Sequence, residues 1–79
     1  MRNVTVIYSG LNLTDQEYAY WRECLREMCA ASNFEETREN RQVKSISCSI
    51  SNGHFEIGSL TEFARDMHGN MSLYYFNDH

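Results

Sequence analysis

Ser45–Leu60 reads SISCSISNGHFEIGSL, and its interpretation decides the fold. Residues 43–51 alternate, with Ile46, Cys48 and Ile50 on one face and Ser45, Ser47 and Ser49 on the other. Strict alternation marks a half-buried strand. Asn52-Gly53 follows, a dipeptide suited to a type I′ turn, in which both central residues need positive φ. A two-residue turn sets Ser51 opposite His54, Ile50 opposite Phe55, Ser49 opposite Glu56 and Cys48 opposite Ile57. The apolar pairs then share one face and the polar pairs the other, so turn chemistry and hydrophobic pattern specify the same register. In this hairpin Cys48 and His54 point to opposite faces and cannot join in one metal site or one nucleophile–base pair. Cys48 is expected to be a small buried hydrophobe.

Upstream, Val4–Tyr8 (VTVIY) is β-branched and aromatic and reads as a strand ended by Ser9-Gly10. Thr14 is followed three residues later by Glu17, a capping box, with Leu13 and Tyr18 in hydrophobic-staple positions. The helix it opens is expected from about Asp15 to about Ala31. Tyr18, Trp21, Leu25, Met28 and Cys29 fall in one arc facing a core, and Glu23, Arg26, Glu27 and Ala30 lie opposite. Residues 32–42 (SNFEETRENRQ) are polar with neither period and read as a charged loop. Downstream, Ser59 and Glu62 form a second capping-box pattern. Leu60, Phe63, Ala64 and Met67 then repeat at helical spacing, and Gly69 supplies the stop. Met71–Phe76 (MSLYYF) reads as a last strand with two apolar faces. The order β-α-β-β-α-β is the ferredoxin-like arrangement. It predicts one α+β domain over residues 1–79, with a four-stranded antiparallel sheet in order 4-1-3-2 and both helices on one face.

Composition bounds the function classes. The chain has 79 residues, net charge −4 and one lysine, Lys44. Nucleic-acid binding needs a basic patch that displaces counterions from phosphates, so an acidic balance argues against it, and against an anionic membrane surface. A protein partner with a basic surface suits it better. The N-terminus, MRNVTVIYSG, lacks an apolar signal segment, so a cytoplasmic protein with reduced thiols is expected. The cysteines at 24, 29 and 48 make an odd count, and Cys24 and Cys29 lie about 140° apart on their helix. That spacing forms no metal site, and no cofactor is expected. The three sequons at Asn3, Asn12 and Asn70 are read as coincidence.

No catalytic motif is present. The leading expectation is therefore a small non-enzymatic module that binds a protein. Its contact residues would be Glu23 and Glu27 on the outer helix face, Glu35, Glu36 and Glu39 in the charged segment, and Tyr74 and Phe76 on the last strand. A phage or mobile-element inhibitor of a host machine, an anti-CRISPR or similar anti-defence protein, is the expected setting. Self-association through the last strand, giving a homodimer, is weighted evenly with binding a different partner. Two alternatives come from other classes. His54 and Glu56, outward on one strand, could form an acid–base dyad in a homodimeric enzyme or ligand-binding subunit. Aromatics on the central strands could stack single-stranded RNA. Those central strands offer Tyr8, His54 and Glu56, or Ile7, and no RNP-type run.

Overall fold

The structure, a computed structural model, describes residues 3–51 and 54–76, with backbone only at 75 and 76. Its elements run β1 (Asn3–Ser9), α1 (Asp15–Cys29), β2 (Ser32–Glu39), β3 (Gln42–Ser51), α2 (Ile57–Asp66) and β4 (Asn70–Phe76). The four strands form one antiparallel sheet in the order β2-β3-β1-β4. The α+β, ferredoxin-like arrangement is therefore the one expected, although one of its four strands lies at Ser32–Glu39 and not at the expected residues 54–57.

The first correction is β2. Residues 32–39 form the sheet's edge strand, not a loop. Only Phe34 is half-buried, and every other position is exposed. An edge strand wet on both faces carries no period-two signal, so its sequence looks like a loop. The second correction follows from the first. β3 is an inner strand with β1 on one side and β2 on the other, so residues 54–57 are not needed as its partner. His54 and Glu56 lie in the connection to α2, and Ile57 opens that helix. Phe55 packs against the core as expected, but Ile57 is 55% exposed. The turn expected at Asn52-Gly53 lies outside the described residues.

The type I′ geometry occurs instead at Asn40-Arg41, with φ of 54° and 65°, between the paired residues Glu39 and Gln42. Arginine in the left-handed region costs roughly 1–2 kcal/mol, and glycine costs nothing there. Arg41→Gly is accordingly expected to stabilise the protein by about 1 kcal/mol, read from the midpoint of urea unfolding. An unchanged or lower midpoint would refute this turn.

α1 starts where its capping box places it: Thr14 Oγ1 accepts from the Glu17 N–H at 3.2 Å, and Glu17 Oε1 accepts from the Thr14 N–H at 3.0 Å. Leu13 and Tyr18, the staple pair, are both buried. Leu25 and Cys29 are buried and Trp21 is half-buried, but Met28, expected in the core, is 69% exposed. Met28 lies at the flank of the apolar arc, one 100° step from Cys29, and falls beyond the sheet. α2 begins two residues before the expected capping box, with Glu56 as its N-cap and no side-chain cap bond. Leu60, Ala64 and Met67 are buried from it as the spacing predicts. Its C-terminus closes in a Schellman motif: the His68 N–H donates to the Arg65 carbonyl at 3.1 Å and the Gly69 N–H to Ala64 at 2.9 Å. His68, not Gly69, takes the left-handed residue of that motif, with φ of 58°.

The core lies between the sheet and the helices. Val4, Val6 and Tyr8 of β1 and Val43, Ile46, Cys48 and Ile50 of β3 point into it. The Tyr8 hydroxyl donates to the Leu60 carbonyl at 2.9 Å, tying the central strand to α2 inside the core. All three cysteines are free thiols, Cys29 and Cys48 fully buried and Cys24 half-buried. No helix among the described residues is long and apolar enough to cross a membrane.

Candidate partner-binding surfaces

The sheet face away from the helices is set by register. On the inner strands it shows Thr5, Ile7 and Ser9 from β1 and Ser45, Ser47 and Ser49 from β3, all half-buried. Ile7 is flanked by Ser47 and Ser72; Thr5 is flanked by Ser49 and Tyr74. Leu73 pairs with Val6 and packs against the core, so Tyr74 is the ring that reaches the open face, 54% exposed. Phe76 pairs through its backbone with Asn3, and its side chain lies outside the described residues.

This face leaves little for the RNA reading. Stacking needs aromatic rings on the outward side of the two central strands. Those positions hold hydroxyl residues and Ile7, while Tyr8 is buried with its hydroxyl bonded to Leu60. The dyad reading loses its geometry as well. His54 and Glu56 are exposed in a connection, so no strand pleat aligns them on the open face.

The two edges of the sheet differ in chemistry. β2 carries Glu35, Glu36, Arg38 and Glu39 within eight residues. Charges on an edge discourage strand addition. β4 has no charged residue between Asn70 and Phe76. Its outer backbone groups are therefore unguarded by the usual device.

The five glutamates do not form one acidic patch. Glu23 pairs with Arg26 at 3.6 Å on α1, and both are more than half exposed. Glu36 pairs with Arg38 at 2.9 Å, and Arg38 also binds Asp15 at the start of α1. These pairs clip the β2 edge to α1 on the helix side of the sheet. Glu35 lies opposite Ser47 on the open face, and Glu39 stands at the β2–β3 turn. Of these five, Glu27, Glu35 and Glu39 have no ion pair among the described residues. The charge of this segment was readable, but the partner of Arg38 on α1 was not, because it is more than twenty residues away.

Two concavities are formed by the described residues. One, about 350 Å³, lies between the start of α1 and the end of α2 and includes Glu17, Trp21, Asp66 and His68. Glu17 is committed to the helix cap, and no group of three metal-ligating side chains forms among the described residues. The other, about 490 Å³, lies between the end of α1 and the start of β2, lined by Arg22, Arg26, Ala31, Ser32, Asn33 and Phe34. No reading of the sequence singled out these arginines. The i, i+4 spacing of Arg22 and Arg26 was the available signal. No family model matches the chain, and no curated protein or solved structure is significantly similar to it.

Proposed function

We propose that the protein is a non-enzymatic module that works by binding another protein through the β4 edge and the adjoining open face. The observation that supports this is the contrast between the edges: β2 is guarded by four charges, while β4 has none and carries the exposed Tyr74. A partner's extended segment can add to such an edge, with backbone hydrogen bonds for affinity and side-chain pockets for specificity. Tyrosine is among the residues that most often dominate such contacts. The unpaired Glu27, Glu35 and Glu39, with the net charge of −4, favour a partner with a basic surface and would speed the encounter. The setting we propose is a cytoplasmic accessory protein of a phage or mobile element that blocks a host machine, as an anti-CRISPR does, by occupying its surface.

The test is affinity capture of tagged protein from source-host lysate after nuclease treatment, comparing wild type with Tyr74→Lys. The wild type is expected to retain a stoichiometric protein partner. Tyr74→Lys should weaken it at least tenfold, about 1.4 kcal/mol, with an unchanged melting temperature. Reversing Glu27, Glu35 and Glu39 to lysine should slow association and flatten its salt dependence. Equal recovery by Tyr74→Lys would sink the edge assignment, and indifference to the triple reversal would sink the acidic-surface component. Recovery of the protein alone, with a dimer by sedimentation, would make the β4 edge a contact between two copies.

A further inference from the structure

We propose that the groove between the end of α1 and the start of β2 binds a phosphate monoester group through Arg22 and Arg26. The inference is independent of the β4 reading, since β2 and β4 are opposite edges of the sheet.

The groove is positively charged on an acidic protein. None of its six described lining residues is acidic. Arg22 and Arg26 stand one helical turn apart on α1, where like charges repel. The Arg22 guanidinium is held over the Tyr18 ring, 5.3 Å from its centroid, and has no ion pair among the described residues. Its Nε is buried without a hydrogen-bond partner. A buried donor left unpaired is costly, and a native structure that keeps one calls for a reason. Arg38 shares the same ring at 5.9 Å, but Asp15 and Glu36 already neutralise it. Among the described residues Arg26 is met only by Glu23, a 3.6 Å contact between exposed side chains, which is weak and easily displaced.

The ligand class follows from charge and donor geometry. Two guanidinium groups carry two positive charges in planar forks that match oxyanions bidentately. A phosphate monoester carries about −1.5 to −2 at pH 7, closer to that charge than a single carboxylate. The α1 carbonyl end opposes an anion with about half a charge, which two full charges outweigh. Ser32 and Asn33 add a hydroxyl and an amide at the rim, and the half-buried Phe34 offers an apolar surface to the ester group. Asn33 holds φ at 55°, in the left-handed region, at the register shift between Ser32 and Glu35 of β2.

The experiment is a titration of ¹⁵N-labelled protein at pH 7.5, at constant ionic strength set by chloride, with inorganic phosphate and then phenyl phosphate. The Arg22 Nε–H and the Ser32 and Asn33 amide signals are expected to shift and saturate, with phenyl phosphate the tighter ligand. Arg26→Ala, an exposed position, should weaken binding at least tenfold without lowering the melting temperature. Arg22→Lys, which keeps the charge and loses the fork, should weaken it similarly. Affinity should fall as the pH drops below 6 and the ester loses its second charge. Acetate binding as tightly as phenyl phosphate, shifts that chloride reproduces, or full affinity in Arg26→Ala would each overturn the site. A phosphopeptide that binds more tightly than phenyl phosphate would assign the group to a protein partner; equal affinity would assign it to a small phosphorylated molecule.

Discussion

Gly69→Ala is expected to destabilise the protein by about 3 kcal/mol. Gly69 has no positive φ, so its requirement is space. A Cβ built there would sit 2.7 Å from the Ser9 carbonyl oxygen and closer still to Leu11 Cδ2. Neither neighbour can retreat easily. The Ser9 carbonyl is backbone, and Leu11 is fully buried with its N–H donating to the Lys44 carbonyl at 3.0 Å. Gly69 is itself pinned by its N–H bond to Ala64, so the clash has to be relieved by moving the end of α2 off β1. Overpacking costs about 1–3 kcal/mol when side chains absorb it, and the upper end applies when backbone must move. A chain of 79 residues has roughly 4–12 kcal/mol in total. The melting temperature should therefore fall by about 10–20 °C.

The same substitution at Gly58 supplies the contrast. Gly58 lies in the first turn of α2, and among the described residues its Cβ would meet only the exposed Glu56 side chain, at 3.3 Å. That side chain can swing away, and alanine is favoured over glycine in a helix by about 0.5–1 kcal/mol. Gly58→Ala should raise the melting temperature while Gly69→Ala lowers it. Equal effects of one sign would mean that the packing at the end of α2 is not as described.

The sequence was most legible where a local signal and the core agreed. The Thr14–Glu17 box fixed the start of α1, and the alternation of Ile46, Cys48 and Ile50 fixed the buried face of β3. It failed at β2, because an edge strand wet on both faces has no apolar period to read. It failed at residues 54–57 for the complementary reason. Phe55 and Ile57 alternate over too short a span to separate a strand from a helix start, and β3 had already found its second neighbour upstream. Strand order survived both errors, since one hairpin with β3 exchanged for another keeps the βαββαβ sequence. Of the expected contact residues, Tyr74 lies on the open face beside an uncharged edge. The glutamates divide into paired and unpaired sets, through contacts that no local pattern encodes.

Stability should fall steeply above about pH 9. The Cys48 thiol, buried in the core, is pushed up to about 12, chiefly by loss of solvent and further by Cys29 close by. Burial also raises Cys29, with Glu56 adding to it, and raises Tyr8, with the two cysteines adding to that. Each of these groups is neutral when protonated. Above its ordinary value, 9.0 for the thiols, the unfolded chain gives up the proton while the folded chain keeps it. The folded state then binds more protons, so raising the pH favours unfolding, by at most about 1.4 kcal/mol per unit for a group that stays protonated in the fold. For Cys48 the loss accumulates from pH 9 and levels off near pH 12, where the folded thiol also ionises, at about 4 kcal/mol. Tyr8 joins above pH 10. Lysine and arginine contribute little to the slope, because the chain has a single lysine and its arginines stay charged throughout. Urea unfolding at pH 7, 9, 10 and 10.5 should show little loss up to pH 9 and a growing loss beyond it. Cys48→Ala should be somewhat less stable at pH 7, from the small cavity, yet fall less steeply with pH. If wild type and Cys48→Ala had the same alkaline slope, the thiol at the centre of the opening stretch would not be buried as the sheet places it.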